Sequence, residues 1–280
     1  MTGIDSHHHF WRYDAAEYGW IGDGMDALKR DFLPSDLSET LDGTRIEGAV
    51  SVQARQTLEE TRWLLGMANQ HAFVRGVVGW VPLIDPDLEN TLESLADEPR
   101  LKGVRHVLQA EPDDELILSD AFNRGIAQLQ KFDLAYDILI KGHQLAGAIH
   151  LADRHPDQVF VLDHLAKPTI QASQFDEQWA EHFRELARRE NVSCKFSGVV
   201  TEVSDAEWTI DTIRPYWETA LESFGPDRLM FGSDWPVCLL RSSYHRWLEA
   251  VETLTSELSD SEQKAFWGEN AIRAYRLDSA

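Results

Sequence analysis

The sequence predicts a (β/α)8 barrel, on three observations. Eight short apolar runs of strand length recur along the 280 residues. Helical spacing of apolar residues follows nearly every run. Residues able to do chemistry gather where the runs end, which is where barrels of this class collect their functional groups. Near-continuous apolar runs suit parallel strands buried on both faces. No glycine-rich phosphate loop follows any run, which disfavours an open, doubly wound nucleotide-binding sheet.

The strands are expected at residues 3–10, 48–53, 77–81, 103–107, 134–139, 159–164, 192–197 and 229–232. Between them, Leu58, Thr61, Leu65 and Ala68 share a helical face within 57–70. Leu88, Leu92 and Leu95 share one behind Asp85-Pro86-Asp87. Phe122, Ile126 and Leu129 do so behind Ser119-Asp120, where a polar residue ahead of an apolar face is an N-cap signal. Trp179, Phe183, Leu186 and Ala187 line a face across 176–190, and Ile213, Trp217 and Leu221 line the next. Residues 259–275, with Ala265, Phe266, Ala271 and Ala274, read as one last amphipathic helix on the outside or the bottom of the barrel. Residues 11–47 read as a long loop leaving the first strand, carrying Trp11, Tyr13, Tyr18, Trp20 and Ile21. Loops of that length in a compact domain are usually functional, so a lid or substrate wall is expected; packing on the barrel fits the same aromatics.

Composition sets the outer bounds. Hydrophobic residues make up 43% of the chain and there are 10 tryptophans, ample for a core. A single barrel domain over 1–280 is expected, because barrels commonly run to about 250 residues. The net charge of −22 repels nucleic acid and anionic membranes. Cys194 and Cys238 are too few for a disulfide scaffold. No basic-then-apolar leader and no run of about 18 apolar residues is present, so a cytoplasmic protein is expected. Monomer and homo-oligomer are both compatible with these features.

The first strand carries His7, His8 and His9. Residues i and i+2 of a strand point the same way, so His7 and His9 share a face and His8 takes the other. Two imidazoles on one face can close on one metal ion or one substrate. Asp234 follows the last apolar run and precedes Trp235-Pro236, which stops it. An aspartate there can take a proton from water or complete a single-ion site with His7 and His9. His164 ends the sixth run, and imidazole titrates near neutral pH, so it can shuttle a proton or hydrogen-bond a carbonyl. Gln53, Trp80, Arg105, His106, Lys195 and the loop residue Trp20 complete the candidate substrate-binding set. Arg105 and His106 alternate sides, so at most one points inward. Asp163 reads as an inward orienting partner. Lys141 and Lys167 read as solvated loop charges, and Lys195 is stronger because it sits inside an apolar strand. His71, His143, His150, His155, His182 and His245 fall on helices and read as surface or packing residues.

These residues stand in blocks that resemble the amidohydrolase superfamily. The blocks are residues 4–11 (Ile-Asp-Ser-His-His-His-Phe-Trp), 103–106, 162–168, 228–236 (ending Gly-Ser-Asp-Trp-Pro) and 268–275. Within it they are similar to the amidohydrolase-2 branch that holds sugar and pyrone lactonases. The resemblance implies a distorted barrel and hydrolysis by an activated water. By position, His7 and His9 match the family's first-strand pair, His164 the strand-six histidine, and Asp234 the strand-eight aspartate. The chain departs from many members at strand five, which offers Tyr136 and Asp137 rather than a lysine or histidine ligand, so two metals are not expected. One divalent ion, zinc in the first instance, and no ion at all both remain open.

The expected reaction is opening of a small aldonolactone such as L-fuconolactone or L-rhamnonolactone. Asp234 would be the base toward water, and His164 with Arg105 or Lys195, or a metal, would polarise the carbonyl. Sugar faces stack on aromatics, and Trp11, Trp20, Trp80 and Trp235 are available platforms. Two rival chemistries are a carboxylated pyrone or muconolactone-type lactone and metal-dependent non-oxidative decarboxylation. The first wants several arginines to clamp carboxylates; strand ends here carry chiefly Arg55 and Arg105. The second is usual where the first strand opens Glu-x-His-x-His, whereas this chain has Asp5-Ser6-His7-His8-His9. A barrel that only binds a sugar acid is the non-enzymatic alternative, and the ring of acid and base groups argues against it.

Overall fold

The structure, a computed structural model, describes residues 3–278. Eight parallel strands follow one another round a single sheet in sequence order. They are β1 Gly3–His8, β2 Ile46–Val52, β3 Val74–Gly79, β4 Leu101–His106, β5 Ala135–Ile138, β6 Phe160–Leu162, β7 Val192–Phe196 and β8 Leu229–Phe231. Every expected strand is present, with ends shifted by a few residues. The ring is nearly closed. β8 meets β1 just beyond its own end, where Asp234 N–H donates to His7 O (2.8 Å) and His9 N–H donates to Trp235 O (2.7 Å).

The expected helices form as α2 Leu58–Gln70, α3 Leu88–Glu93, α4 Asp120–Leu129, α6 Glu177–Ala187 and α7 Ile210–Phe224. Side-chain caps start four of them, with Thr57, Ser119, Asp176 and Thr209 each accepting from the backbone N–H three residues on. Three more helices complete the outer layer: α1 Pro34–Leu41, α5 Leu145–Arg154 and α8 Tyr244–Thr255. α1 buries only Pro34, Leu37 and Leu41, too few apolar positions to show a period. In α5 the buried face is Leu145, Ala148, Leu151 and Ala152, and Gly147 lets Ile117 pack close; a Cβ there would lie 2.7 Å from Ile117 Cγ2. α8 carries a plain signal, a Ser243 cap and a face of Tyr244, Trp247, Leu248 and Val251, yet stands outside the expected set.

Residues 11–47 are mostly wall rather than free lid. Trp11 is fully buried, bridges Phe32 in a two-residue antiparallel contact, and donates its indole N–H to Arg30 O at 2.9 Å. Tyr18, Ile21, Leu28 and Phe32 are buried with it. The packing alternative therefore holds for most of the segment.

The C-terminal segment is helical without a break over 260–274, as expected, with a widened turn in its middle. It comprises α9 Asp260–Lys264, a π-helical turn Ala265–Glu269 and α10 Asn270–Ala274. The wide turn brings both Phe266 and Trp267 inside. Beyond it, Ala271, Ala274, Tyr275 and Leu277 close the bottom of the barrel against Ile4, Val50, Val78, Val161 and Met230. This small inner core is separate from the larger one between strands and helices. The Tyr275 hydroxyl reaches up the axis and donates to the Asp137 carboxylate (2.8 and 2.9 Å).

One local irregularity aims the site. Asp5 pairs with Ala49 but His8 pairs with Ser51, so β1 carries one extra residue in between. A bulge of this kind re-aims the side chains beyond it. Ile4 and His7 consequently both face the axis. Removing the Tyr275 hydroxyl should leave Asp137 short of a partner. Tyr275→Phe is expected to lower unfolding free energy by about 1–3 kcal/mol in chemical denaturation; no measurable change would show that the bottom plug does not hold Asp137.

Candidate active site

The turn after β8 is held from beneath. Asp5 accepts from Ser233 N–H (2.8 Å), from the Tyr244 hydroxyl (3.2 Å) and from His7 N–H (3.2 Å). Burial pushes its carboxyl up to about 6 despite these donors. So fixed, the turn carries Asp234 in a left-handed conformation (φ 55°) with its side chain over the barrel mouth. Asp234 Oδ1 lies 3.4 Å from His9 Nε2, 3.7 Å from His7 Nε2 and 4.0 Å from His164 Nε2. The first and last strands thus meet as expected. Burial raises the Asp234 carboxyl, but His164 and His9 outweigh it and hold the group below the usual range, ionised at neutral pH.

His7, His9 and Asp234 fit a metal ion. His9 Nδ1–H donates to Val52 O (2.8 Å) and His7 Nδ1–H faces Asp163 Oδ1 (3.2 Å), so both Nε2 atoms turn lone pairs inward. Those two nitrogens are 3.2 Å apart, repulsive unless a cation or proton lies between them. Separations of 3.2, 3.4 and 3.7 Å match the ~3.3 Å edge of a tetrahedron with ligands at ~2.0–2.1 Å. Burial pushes the His7 imidazole well below its ordinary value, which keeps it neutral and able to ligate. Against this, Arg105 Nη1 stands 3.4 Å from His7 Nε2, although its shorter bond goes to Asp163 Oδ2 (2.8 Å). A second cluster, His7, Asp163 and His164, is also compact. Its carboxylate is already taken by Arg105, His7 and Lys195, the last at 2.9 Å, so it is the poorer site.

His164 ends β6 on an unusual turn. His164, Leu165, Ala166 and Lys167 all have φ between 50° and 58°. The turn lays the His164 ring against His7, with centroids 4.4 Å apart, and brings Nδ1 to 2.9 Å from Ser197 Oγ. Burial lowers the His164 imidazole to about 4, so it is neutral at physiological pH. Gly198 (φ 62°) makes room: a Cβ there would lie 2.6 Å from His164 Nδ1 and 3.0 Å from Asp234 Oδ2.

Beneath the histidines is a buried charged layer. Lys195, fully buried, sits between Asp137 and Asp163 and 3.1 Å from His7 Nδ1. Burial raises Asp137 to about 6. It raises Asp163 too, but Lys195, His7 and Arg105 reverse the shift and hold it well below the ordinary range.

The mouth opens into a cavity of ≈ 910 Å³ lined by His9, Arg105, His164 and Asp234. Trp20, 42% exposed, lines it from the long segment as expected, set edge-on to Trp11. The remaining expected binding residues are placed otherwise. His106 turns outward to Glu111 (2.7 Å) and Phe122, the far side of the alternation that sends Arg105 inward. Lys195 lies below His7 with its charge taken, so it orients and does not reach the cavity. Gln53 is fully buried; its side-chain amide donates to the Arg105 backbone carbonyl (3.3 Å), and its own backbone carbonyl accepts from the Arg105 guanidinium. Trp80 is outside the lining; its backbone exchanges hydrogen bonds with the Thr61 hydroxyl at 2.7 and 2.8 Å.

The cavity wall also carries Arg55, noted in the sequence only as a strand-end arginine, Lys167, read there as a solvated loop charge, and Glu202, which the sequence reading missed. Lys167 and Glu202 pair at 3.5 Å, both partly buried. Arg55 pairs with Glu17 of the long segment, and Glu60 Oε2 accepts from Ala54 and Arg55 N–H at 2.9 and 2.7 Å. A capped Thr57 start with Glu60 three residues on was the available signal.

The amidohydrolase family profile matches residues 4–277, and the chain belongs to that family. An L-fucono-1,5-lactonase of Burkholderia multivorans is 42% identical over 98% of this chain and 96% of its own. One from Burkholderia ambifaria is 37% identical over the same shares. A crystal structure of a Burkholderia multivorans amidohydrolase with bound zinc superposes at a TM-score of 0.93, with 41% identity, covering 99% of this chain and 100% of that one.

Two outcomes are expected. Asp163→Asn should weaken divalent-metal binding by about 10–100-fold, read as metal content after dialysis against a competing chelator; unchanged content would show that Asp163 does not orient His7. Burial raises Glu60 to about 7, so the folded protein holds that proton more tightly than the unfolded chain. Its stabilisation is complete below the ordinary carboxylate value and is lost as pH rises through about 7. Glu60→Gln should therefore flatten the fall in Tm between about pH 5 and pH 8; an identical slope in both proteins counts against the assignment.

Proposed function

We propose that this enzyme hydrolyses the six-membered lactone of a deoxy-aldonic acid, with L-fucono-1,5-lactone as the first substrate to test. The observation that carries the reading is the convergence of Asp234, His7, His9 and His164 on one cavity. Near-full-length similarity to two L-fucono-1,5-lactonases supports the substrate.

Lactone opening needs a deprotonated water, a polarised carbonyl and a proton for the departing ring oxygen. Asp234, ionised at neutral pH, accepts the proton of the attacking water. His164 is neutral; with Ser197 donating to Nδ1, its Nε2–H faces the cavity and hydrogen-bonds the carbonyl oxygen. Arg105 adds positive potential from below without leaving Asp163. The proton held on Asp234 is next in line for the ring oxygen. His7, His9 and Asp234 would hold a divalent ion, zinc by the donor set. Such an ion supplies Lewis acidity, lowering the pKa of water and polarising the carbonyl.

The cavity favours an uncharged polyol over a dicarboxylate. Its two arginines are committed, Arg55 to Glu17 and Arg105 to Asp163. Trp20 offers its exposed face for a sugar ring to stack on. The long segment forms the wall behind it.

A panel of aldono-1,5- and 1,4-lactones, followed by acid release with and without chelator, tests the substrate; no turnover of any would remove the reading. Asp234→Asn should lower kcat by about 10²–10⁴-fold with the thermal transition retained. Wild-type rates in a folded Asn variant would place the base elsewhere.

A further inference from the structure

The Lys167–Glu202 pair does not only line the reaction cavity. Both residues also line a second, polar cavity of ≈ 710 Å³, so their side chains form the partition between the two. The pair is loose, at 3.5 Å, with side chains 22% and 24% exposed. Behind it, Lys141, three residues beyond β5, lines the second cavity, and among the described residues no ion pair or side-chain hydrogen bond engages its ammonium. Three acids line the cavity as well: Asp176 accepts from Trp179 and Thr169 N–H (3.0 and 3.1 Å), Glu202 pairs with Lys167, and Glu177 is exposed. On a chain of net charge −22, two lysines facing one groove beside the reacting centre stand out.

The chemistry of the reaction supplies an anion that needs such a place. Water adds to the carbonyl carbon, the bond to the ring oxygen breaks, and the ring oxygen leaves as a hydroxyl. The new carboxylic acid has a pKa near about 4 and releases its proton at neutral pH. The neutral substrate becomes an anion beside Asp234 and Glu202, which repel it.

We propose that the second cavity is the exit subsite for the carboxylate of the open-chain hydroxy acid, with Lys167 accepting it from the reacting centre in exchange for Glu202 and Lys141 holding it beyond. The assignment rests on the lactonase reading. Lys167 is presented by the left-handed turn that also presents His164, so the ammonium and the imidazole share one rigid support.

The test uses the full-length enzyme, sodium L-fuconate as the anionic probe and the matching alditol, L-fucitol, as its uncharged control. Calorimetric Kd values are compared for wild type, Lys141→Gln and Lys167→Gln. The expected result is a rise in fuconate Kd of about 10-fold for Lys167→Gln and about threefold for the exposed Lys141→Gln, with fucitol Kd changed by less than about twofold. Added salt should weaken fuconate binding to wild type more than to either variant. Equal fuconate Kd in all three proteins overturns the subsite, and if wild type still opens the lactone the functional reading stands without it. If wild type opens no lactone in the panel, the functional reading fails and the subsite falls with it.

Discussion

The structure depends on how its barrel closes. β8 is three residues long and ends before it can pair fully with β1. Two backbone hydrogen bonds beyond it, Asp234 to His7 and His9 to Trp235, complete the ring. Closure and function therefore use the same residues: the bonds that join the last strand to the first also set Asp234 within 4 Å of both imidazoles. Asp5 secures the seam from below, holding Ser233 and the Tyr244 hydroxyl of α8. A loosened seam would move the carboxylate and both histidines at once.

Under the seam the barrel axis carries charge where packing would normally be apolar. Lys195 and Arg105 face Asp137 and Asp163, and Tyr275 completes the set from the bottom. Such a layer is a poor source of net stability, because desolvating each ion costs several kcal/mol. Removing a single partner, however, typically costs about 3–5 kcal/mol, since a charge is then buried alone. The layer thus resists rearrangement. It holds the His7 ring in one orientation and connects the C-terminal closure of the barrel to the chemistry above it.

The left-handed turn from His164 to Lys167 is the other departure from an unstrained fold. Each L-residue in that conformation costs roughly 1–2 kcal/mol. Contacts around the turn offset part of this: the Trp179 indole donates to Leu165 O at 2.7 Å, and Leu165 and Ala166 are fully buried. Strain of this kind persists at sites whose surroundings over-determine it. Here it swings an imidazole inward and a lysine to the cavity wall within four residues.

Much was legible in the sequence itself. Hydrophobic period and length marked all eight strands and five of the outer helices, because burial on both faces leaves a continuous apolar run. Strand alternation separated His7 and His9 from His8, and the stop at Trp235-Pro236 marked Asp234 as a strand-end acid. Alternation also limited Arg105 and His106 to one inward residue, but which one depends on the register of β4, and that only its neighbours decide. The bulge in β1, the π turn that buries both Phe266 and Trp267, and the descent of Lys195 below the cavity all arise from contacts between distant segments. Arg55 and Lys167 sit on loops and Glu202 ends a short 3-10 turn, where no period reports orientation. Local pattern records which face a residue takes; only closure of the ring decides which faces meet, because that depends on hydrogen bonds and charge pairs between residues far apart in the chain.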